Sequence, residues 1–158
     1  MSNNKILIIG LLVTAGVAGY LFWPGSSASN MMSDKTEVVM YKNEGCQCCT
    51  QWGSHMMEGE FVVEEVPTPV LSQVKQQNGI SREMASCHTA MIGDYVVEGH
   101  VPRADVERLL KEKPDAIGLA VPGMPTGSPG MEMPGVMPDS YDVLLLKKDG
   151  TTSVFSSY

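Results

Sequence analysis

Hydrophobic residues along the chain fall into one long run and a series of short ones. Ile6 to Trp23 is almost wholly apolar and is broken by Pro24-Gly25-Ser26-Ser27-Ala28. After a stretch without period, Glu37-Val38-Val39-Met40-Tyr41 and Phe61-Val62-Val63-Glu64-Glu65-Val66 read as β-strands. Between them, Thr50 to Glu58 carries Trp52, Met56 and Met57 at spacings of a short helix. Val70 to Asn78 reads as a second helix with Gly79 as its stop, after Pro67 and Pro69 punctuate the strand.

Farther on, Thr89-Ala90-Met91-Ile92 and Tyr95-Val96-Val97-Glu98 flank Gly93-Asp94, a two-residue loop suited to a tight hairpin. Pro102 opens a helix over Arg103 to Lys113, in which Val106, Leu109 and Leu110 form one apolar face. The tail holds a Gly/Pro/Met-rich loop from Gly118 to Pro138. Tyr141 to Leu146 and Thr151 to Phe155 around Lys148-Asp149-Gly150 then form a candidate β-hairpin. The fold class expected is α/β, in the order β-α-β-α-β-β-α with a C-terminal loop and hairpin.

These runs divide the chain into residues 1–28, a signal peptide or N-terminal membrane anchor, residues 29–36, a linker, and a single domain over 37–158. The apolar run of about 18 residues is short for a bilayer core of about 30 Å and long for a signal peptide's hydrophobic region. With Lys5 before the run and acidic residues after it, the domain is expected outside the inner membrane of a bacterium. The expected location is therefore periplasmic, either soluble after cleavage or anchored by residues 6–23, with membrane contact through the N-terminal segment only.

The formal net charge is −7, and −8 without the N-terminal segment, whose one charge is Lys5. Such a chain is a poor partner for nucleic acid. Sulfur is unevenly placed. Three of the four cysteines are Cys46, Cys48 and Cys49, the fourth is Cys87, and there are twelve methionines. That is not the spacing of a scattered disulfide framework.

One residue between Cys46 and Cys48, and none before Cys49, crowds three sulfurs into a single strand-to-helix turn. Thiolates near a helix N-terminus gain from its positive end, and crowded thiolates can bridge several Cu(I) ions. A vicinal Cys48-Cys49 disulfide would need an unusual backbone. A closed zinc site of three cysteines and His88 is the structural alternative, although zinc motifs more often use a two-residue spacer.

Other soft or nitrogenous donors surround this cluster in the sequence. His55, on the helix after it, is either a surface residue or a weak ligand candidate. Met124, Met131, Met133 and Met137 either supply thioethers suited to Cu(I) or pack their loop on the core. Trp52 is most simply the anchor of its helix.

The element order, with a cysteine motif at the first strand-to-helix junction, resembles the thioredoxin-like fold over roughly residues 37 to 113. That resemblance implies that Ser86-Cys87-His88-Thr89, entering the third strand, lies beside the cysteine cluster. Thioredoxin-like enzymes usually carry a proline there, which keeps metal ions from the thiols, and this chain has cysteine and histidine instead. His100, before Val101-Pro102, occupies a position that in such folds also faces the cysteine end, as ligand or orienting donor.

Several motifs in order carry a closer resemblance: Cys46-Gln47-Cys48-Cys49 with Trp52, Ser86-Cys87-His88-Thr89-Ala90, Tyr95-Val96-Val97-Glu98-Gly99-His100-Val101-Pro102, and Gly118-Leu119-Ala120-Val121-Pro122-Gly123-Met124-Pro125. Gly127-Ser128-Pro129-Gly130-Met131 completes them. Over most of residues 37 to 135 the chain is similar to the CopG-type copper-resistance proteins, a bacterial exported family first catalogued as a domain of unknown function. The resemblance implies copper as the metal and a role in copper tolerance, often beside envelope copper-efflux proteins.

The leading expectation is therefore a protein that holds Cu(I), as one or several ions, on Cys46, Cys48, Cys49 and Cys87, with His88 and His100 completing or orienting the site. An enzyme of the cell envelope is the alternative, a thiol-disulfide or copper oxidoreductase exchanging through Cys46 and Cys49. A third is an interaction module whose contact is the Gly/Pro/Met segment and whose cysteines only staple it.

Overall fold

A computed structural model describes residues 35–158 of the chain. The expected export segment and most of the expected linker lie outside the described residues. Seven strands and three α-helices follow in order: β1 Thr36–Lys42, α1 Gln47–Met57, β2 Phe61–Pro67, α2 Leu71–Gln77, β3 His88–Ile92, β4 Tyr95–Glu98, α3 Arg103–Glu112, β5 Gly118–Ala120, β6 Asp142–Leu146 and β7 Thr152–Ser157. A short 3-10 turn, Arg82–Met84, precedes β3. Among the described residues no helix is long and apolar enough to cross a membrane.

The α/β class and the order β-α-β-α-β-β-α are as the sequence implies. All strands join one sheet in the order β2-β1-β3-β4-β5-β6-β7. β1 and β2 run parallel, β3 lies antiparallel to both β1 and β4, and the tail hairpin β6-β7 extends the sheet. Between them is a strand that sequence pattern does not reveal. Gly118, expected to begin the long loop, instead opens β5, which pairs parallel with β4 and antiparallel with β6. A parallel β4-β5 pair needs a crossover connection, and α3 supplies it. β5 escapes the pattern because Gly-Leu-Ala contains no β-branched or aromatic residue and is too short to show alternation.

The helices pack because their apolar residues recur at the helical period. In α1 the buried residues are Cys49, Trp52, Gly53 and Met56, at i, i+3, i+4 and i+7. Cys49 is thus the first residue of the stripe, which is why α1 begins at Gln47, three residues before the start expected at Thr50. In α3, Asp105, Val106 and Leu109 are buried, and Leu110 is only partly covered. Trp52, Met56, Val106 and Leu109 belong to a core with Val38, Met40, Ala90, Ile92, Val97 and Leu119 of the sheet. Val96, Ala120, Leu146 and Ile80 form a smaller cluster. Val96 and Val97, and likewise Leu119 and Ala120, are adjacent strand residues, so the two clusters occupy opposite sheet faces.

The architecture brings three things to one end of the sheet. β1 ends there at Lys42 and α1 starts there, β3 begins there at His88, and the chain leaves β4 there through Gly99-His100-Val101.

Candidate metal centre

Cys46 is the N-cap of α1, and Cys48 and Cys49 lie in its first turn. Positions three apart on a helix share a face. Cys46 and Cys49 are joined by a disulfide, while Cys48 and Cys87 are free thiols. The four sulfurs form a closed ring of contacts: Cys46 Sγ is 3.5 Å from Cys48 Sγ, Cys48 Sγ is 3.8 Å from Cys87 Sγ, and Cys87 Sγ is 3.6 Å from Cys49 Sγ. Cys49 is fully buried and the other three are partly exposed.

Cys87 reaches this ring because the turn before β3 is held by a buried carboxylate. Glu98, fully buried on β4, accepts hydrogen bonds from the Ser86 N–H at 2.6 Å and the Thr89 hydroxyl at 2.7 Å, and pairs with Lys75 of α2 at 2.5 Å. The two residues it braces, Ser86 through its backbone and Thr89 through its hydroxyl, bracket Cys87 and His88. The next residue, Gly99, has φ of +72°, and a Cβ there would collide with the Ser86 side chain and the Val121 carbonyl. No side chain fits where β4 leaves the sheet beneath this turn.

On its other side Cys87 faces two imidazoles. His100 Nε2 is 2.9 Å and His88 Nδ1 is 3.4 Å from Cys87 Sγ, and both rings are fully buried. His100 Nδ1 lies 2.8 Å from the Pro129 carbonyl, which can only accept, so the ring proton sits on Nδ1 and the Nε2 lone pair is turned to the cysteine. A ring nitrogen held by a backbone carbonyl while its mate faces the site is the arrangement that orients metal-binding histidines. His88 lies against Trp52, ring centres 4.5 Å apart, and crosses His100 nearly at right angles. Trp52 is the core anchor of α1 and donates from Nε1 to the Val101 carbonyl at 2.9 Å.

Burial governs the electrostatics. It holds the His88 pKa well below the ordinary histidine value, with the nearby His100 and Lys75 charges acting in the same direction. It also lowers His100, against the opposing hydrogen bond to Pro129. Both rings are therefore neutral near pH 7, the form that can ligate. Burial, with the neighbouring Cys48, pushes the Cys87 thiol up to about 12. A cation at this spot would reverse that cost by stabilising the thiolate. His88 Nε2 is buried without a hydrogen-bond partner, an expensive condition in protein alone.

The expected ligand residues are thus brought together. Cys46, Cys48, Cys49 and Cys87 form one group with ligand atoms within 4.8 Å of one another, Cys87, His88 and His100 form a second, and Cys87 belongs to both. His55 is elsewhere. Its Nε2 accepts the Arg103 N–H at 3.1 Å, so it caps α3 and offers no nitrogen to the cluster.

The Gly/Pro/Met segment contributes through its backbone. Gly130 packs on the first turn of α1, and Pro129 holds His100. Met131 is half-buried, but its other three methionines do not pack on the core. Met124 and Met133 are each 55% exposed and Met137 is 87% exposed. Sequence reasoning also passed over Glu98, Lys75 and the Pro129 carbonyl. The visible signal was an acidic residue in Tyr95-Val96-Val97-Glu98, a strand apolar on both faces, where a charge must be buried and paired.

Outside the four-sulfur ring, a cavity of about 380 Å³ opens beside Cys46, lined by Lys42, Gly45, Cys46, Gln47, Thr50 and Gln51. Lys42 is nearly buried there, ion-paired with Glu65 and 2.5 Å from the Thr50 hydroxyl. It ties the end of β1 to the start of α1 and so fixes the cysteine turn.

Comparison with known proteins fits this geometry. Residues 84–131 match the family model described as a protein of unknown function, DUF411. Two solved structures titled "Copper resistance protein copG", forms 2 and 1, superpose with a TM-score of 0.74 each, at 40% and 41% sequence identity. Each alignment covers 78% of this chain and 98% of the solved one. No curated relative matches the chain.

Proposed function

Because this chain belongs to the CopG-type copper-resistance family, we propose that it binds copper as Cu(I) on Cys46, Cys48, Cys49 and Cys87, with His88 and His100 beside them. The observation that carries this reading is the position of Cys87 Sγ, shared between a ring of four sulfurs and a pair of buried neutral imidazoles. Thiolates and imidazoles are soft and borderline ligands that suit Cu(I), and a shared thiolate allows more than one ion.

Copper held this way serves tolerance by keeping the ion from solvent, and an envelope efflux system is the fitting recipient. The apolar run of residues 6–23 supports export to the periplasm, by a cleaved signal or a retained anchor. Anaerobic Cu(I) titration of the reduced protein with mass detection tests the reading. Copper retained against a moderate chelator is expected, and binding unchanged in the Cys48→Ser, Cys49→Ser double variant overturns it. Zinc retained in place of copper points to a structural site instead.

A second reading is favoured by one observation, the disulfide between Cys46 and Cys49. That pair is the one a thiol-disulfide or copper oxidoreductase would cycle. Metal-free dithiol reductase activity with a measurable disulfide potential supports it, and inert thiols exclude it.

A further inference from the structure

The disulfide occupies one side of the four-sulfur ring and leaves Cys48 and Cys87 as a facing pair of thiols. Their sulfurs are 3.8 Å apart, in van der Waals contact, whereas a disulfide is about 2.05 Å long. Cys48 comes from the first turn of α1 and Cys87 from the turn before β3, so small side-chain rotations close the gap while each backbone keeps its place. From these contacts the geometry points to a second, reversible disulfide between Cys48 and Cys87, which together with Cys46–Cys49 closes all four sulfurs to copper. The inference rests on the reading of these sulfurs as copper ligands and states how that site is regulated.

Four cysteines allow three pairings, and the Cys46–Cys49 disulfide selects one of them. Joining Cys48 to Cys49 requires a vicinal bond between residues that point about 100° apart on a helix, and Cys46, although its sulfur lies 3.5 Å from that of Cys48, is already bonded to Cys49. Cys46 with Cys49, three apart on one face, leaves Cys48 with Cys87. Both Cys48 and Cys87 are partly exposed, so an oxidant of the small organic disulfide class reaches them.

The exchange balances. The Cys48 thiolate attacks one sulfur of the organic disulfide and displaces the first thiol. Cys87 then attacks Cys48 Sγ, forming the protein disulfide and displacing the second. The two thiol protons end on the two small thiols, and two electrons pass from protein to oxidant. With both disulfides formed no thiolate remains to hold Cu(I). The reduced protein loads copper and the oxidised protein releases it.

The full-length apo protein, equilibrated anaerobically in graded mixtures of reduced and oxidised glutathione, alkylated and digested with trypsin, gives the test. Cleavage after Lys42, Lys75, Arg82 and Arg103 places Cys46, Cys48 and Cys49 in one peptide and Cys87 in another. The first disulfide lies within a peptide and the second links two. The expected result is an oxidation step that joins the peptides through Cys48 and Cys87, with Cu(I) capacity falling to background in the same step. Cys48→Ser should abolish the link, and the Cys46→Ser, Cys49→Ser double variant, which leaves no other partner for Cys87, should preserve it. Cys48 and Cys87 remaining open to alkylation at every poise, a link through Cys49, or full Cu(I) capacity in the doubly oxidised protein each overturns the proposal. Peptide mapping needs no copper, so failure of the reduced protein to bind Cu(I) would defeat the copper reading without touching the pairing.

Discussion

His100 donates its Nδ1 proton to the carbonyl of Pro129, 29 residues away, and this single bond turns Nε2 toward Cys87. The Gly/Pro/Met segment therefore acts on the cysteine site through a main-chain oxygen. A histidine without that acceptor could present either nitrogen. Replacing the ring should therefore weaken copper binding well beyond any loss of packing. His100→Ala is expected to lower Cu(I) affinity by roughly 10- to 100-fold, measured by competition with a chromogenic chelator. Affinity within two-fold of the parent would show that His100 only fills space.

Glu98 should matter to stability more than any other charged residue near the site. Removing one member of a buried ion pair strands the other, at a cost of about 3–5 kcal/mol. Glu98→Gln leaves Lys75, whose side chain is 11% exposed, without its counter-charge and weakens the hold on Ser86 and Thr89. Lys75→Met leaves the carboxylate with its two remaining donors. Urea denaturation is expected to show a large loss for each variant and a double variant less damaged than the sum, the signature of a coupled pair.

Much of this arrangement was legible in the sequence, because cysteines at a strand-to-helix turn and the Cys87-His88 pair before a strand are local signals. The three contacts that complete the site are long-range and carry no local mark. Glu98 meets Lys75 from 23 residues away, Pro129 offers only a carbonyl, and β5 is three residues recognisable only through its partners β4 and β6. Methionine abundance pointed to the right segment for a different reason: its glycine and Pro129 touch the site, while Met124, Met133 and Met137 face solvent. An α1 starting at Thr50 leaves out Cys49, which already belongs to its buried stripe.

Burial of two neutral histidines makes stability depend on pH. With a folded pKa well below the unfolded value near 6.5, His88 binds its proton in the unfolded chain first. Its contribution is therefore complete above about pH 6.5 and is lost as pH falls toward the folded pKa, at up to about 1.4 kcal/mol per pH unit. His100 acts in the same sense. Melting temperatures of the reduced apo protein should fall between pH 7.5 and pH 5 more steeply than those of His88→Gln. The slope is the readout, so a variant of lower overall stability still answers the question. Parallel slopes would mean that His88 titrates normally in the fold.

Gly130 offers the sharpest separation between fold and site. A Cβ there would lie 2.7 Å from the Cys48 carbonyl and 2.8 Å from the Trp52 N–H, both backbone atoms of α1 that cannot step aside. Gly135 has a similar φ, +78° against +84°, but a Cβ there meets nothing within 4 Å. Both alanine variants carry the backbone cost of the left-handed region, about 1 kcal/mol. Only Gly130→Ala must also lift the segment from α1, and since Pro129 is its neighbour the carbonyl leaves His100. Gly130→Ala is therefore expected to lose about 1–3 kcal/mol more than Gly135→Ala in denaturant unfolding. It should bind Cu(I) more weakly than the parent, whereas Gly135→Ala binds as the parent does. Equal copper affinities in the two variants would show that His100 keeps its orientation without the Pro129 carbonyl.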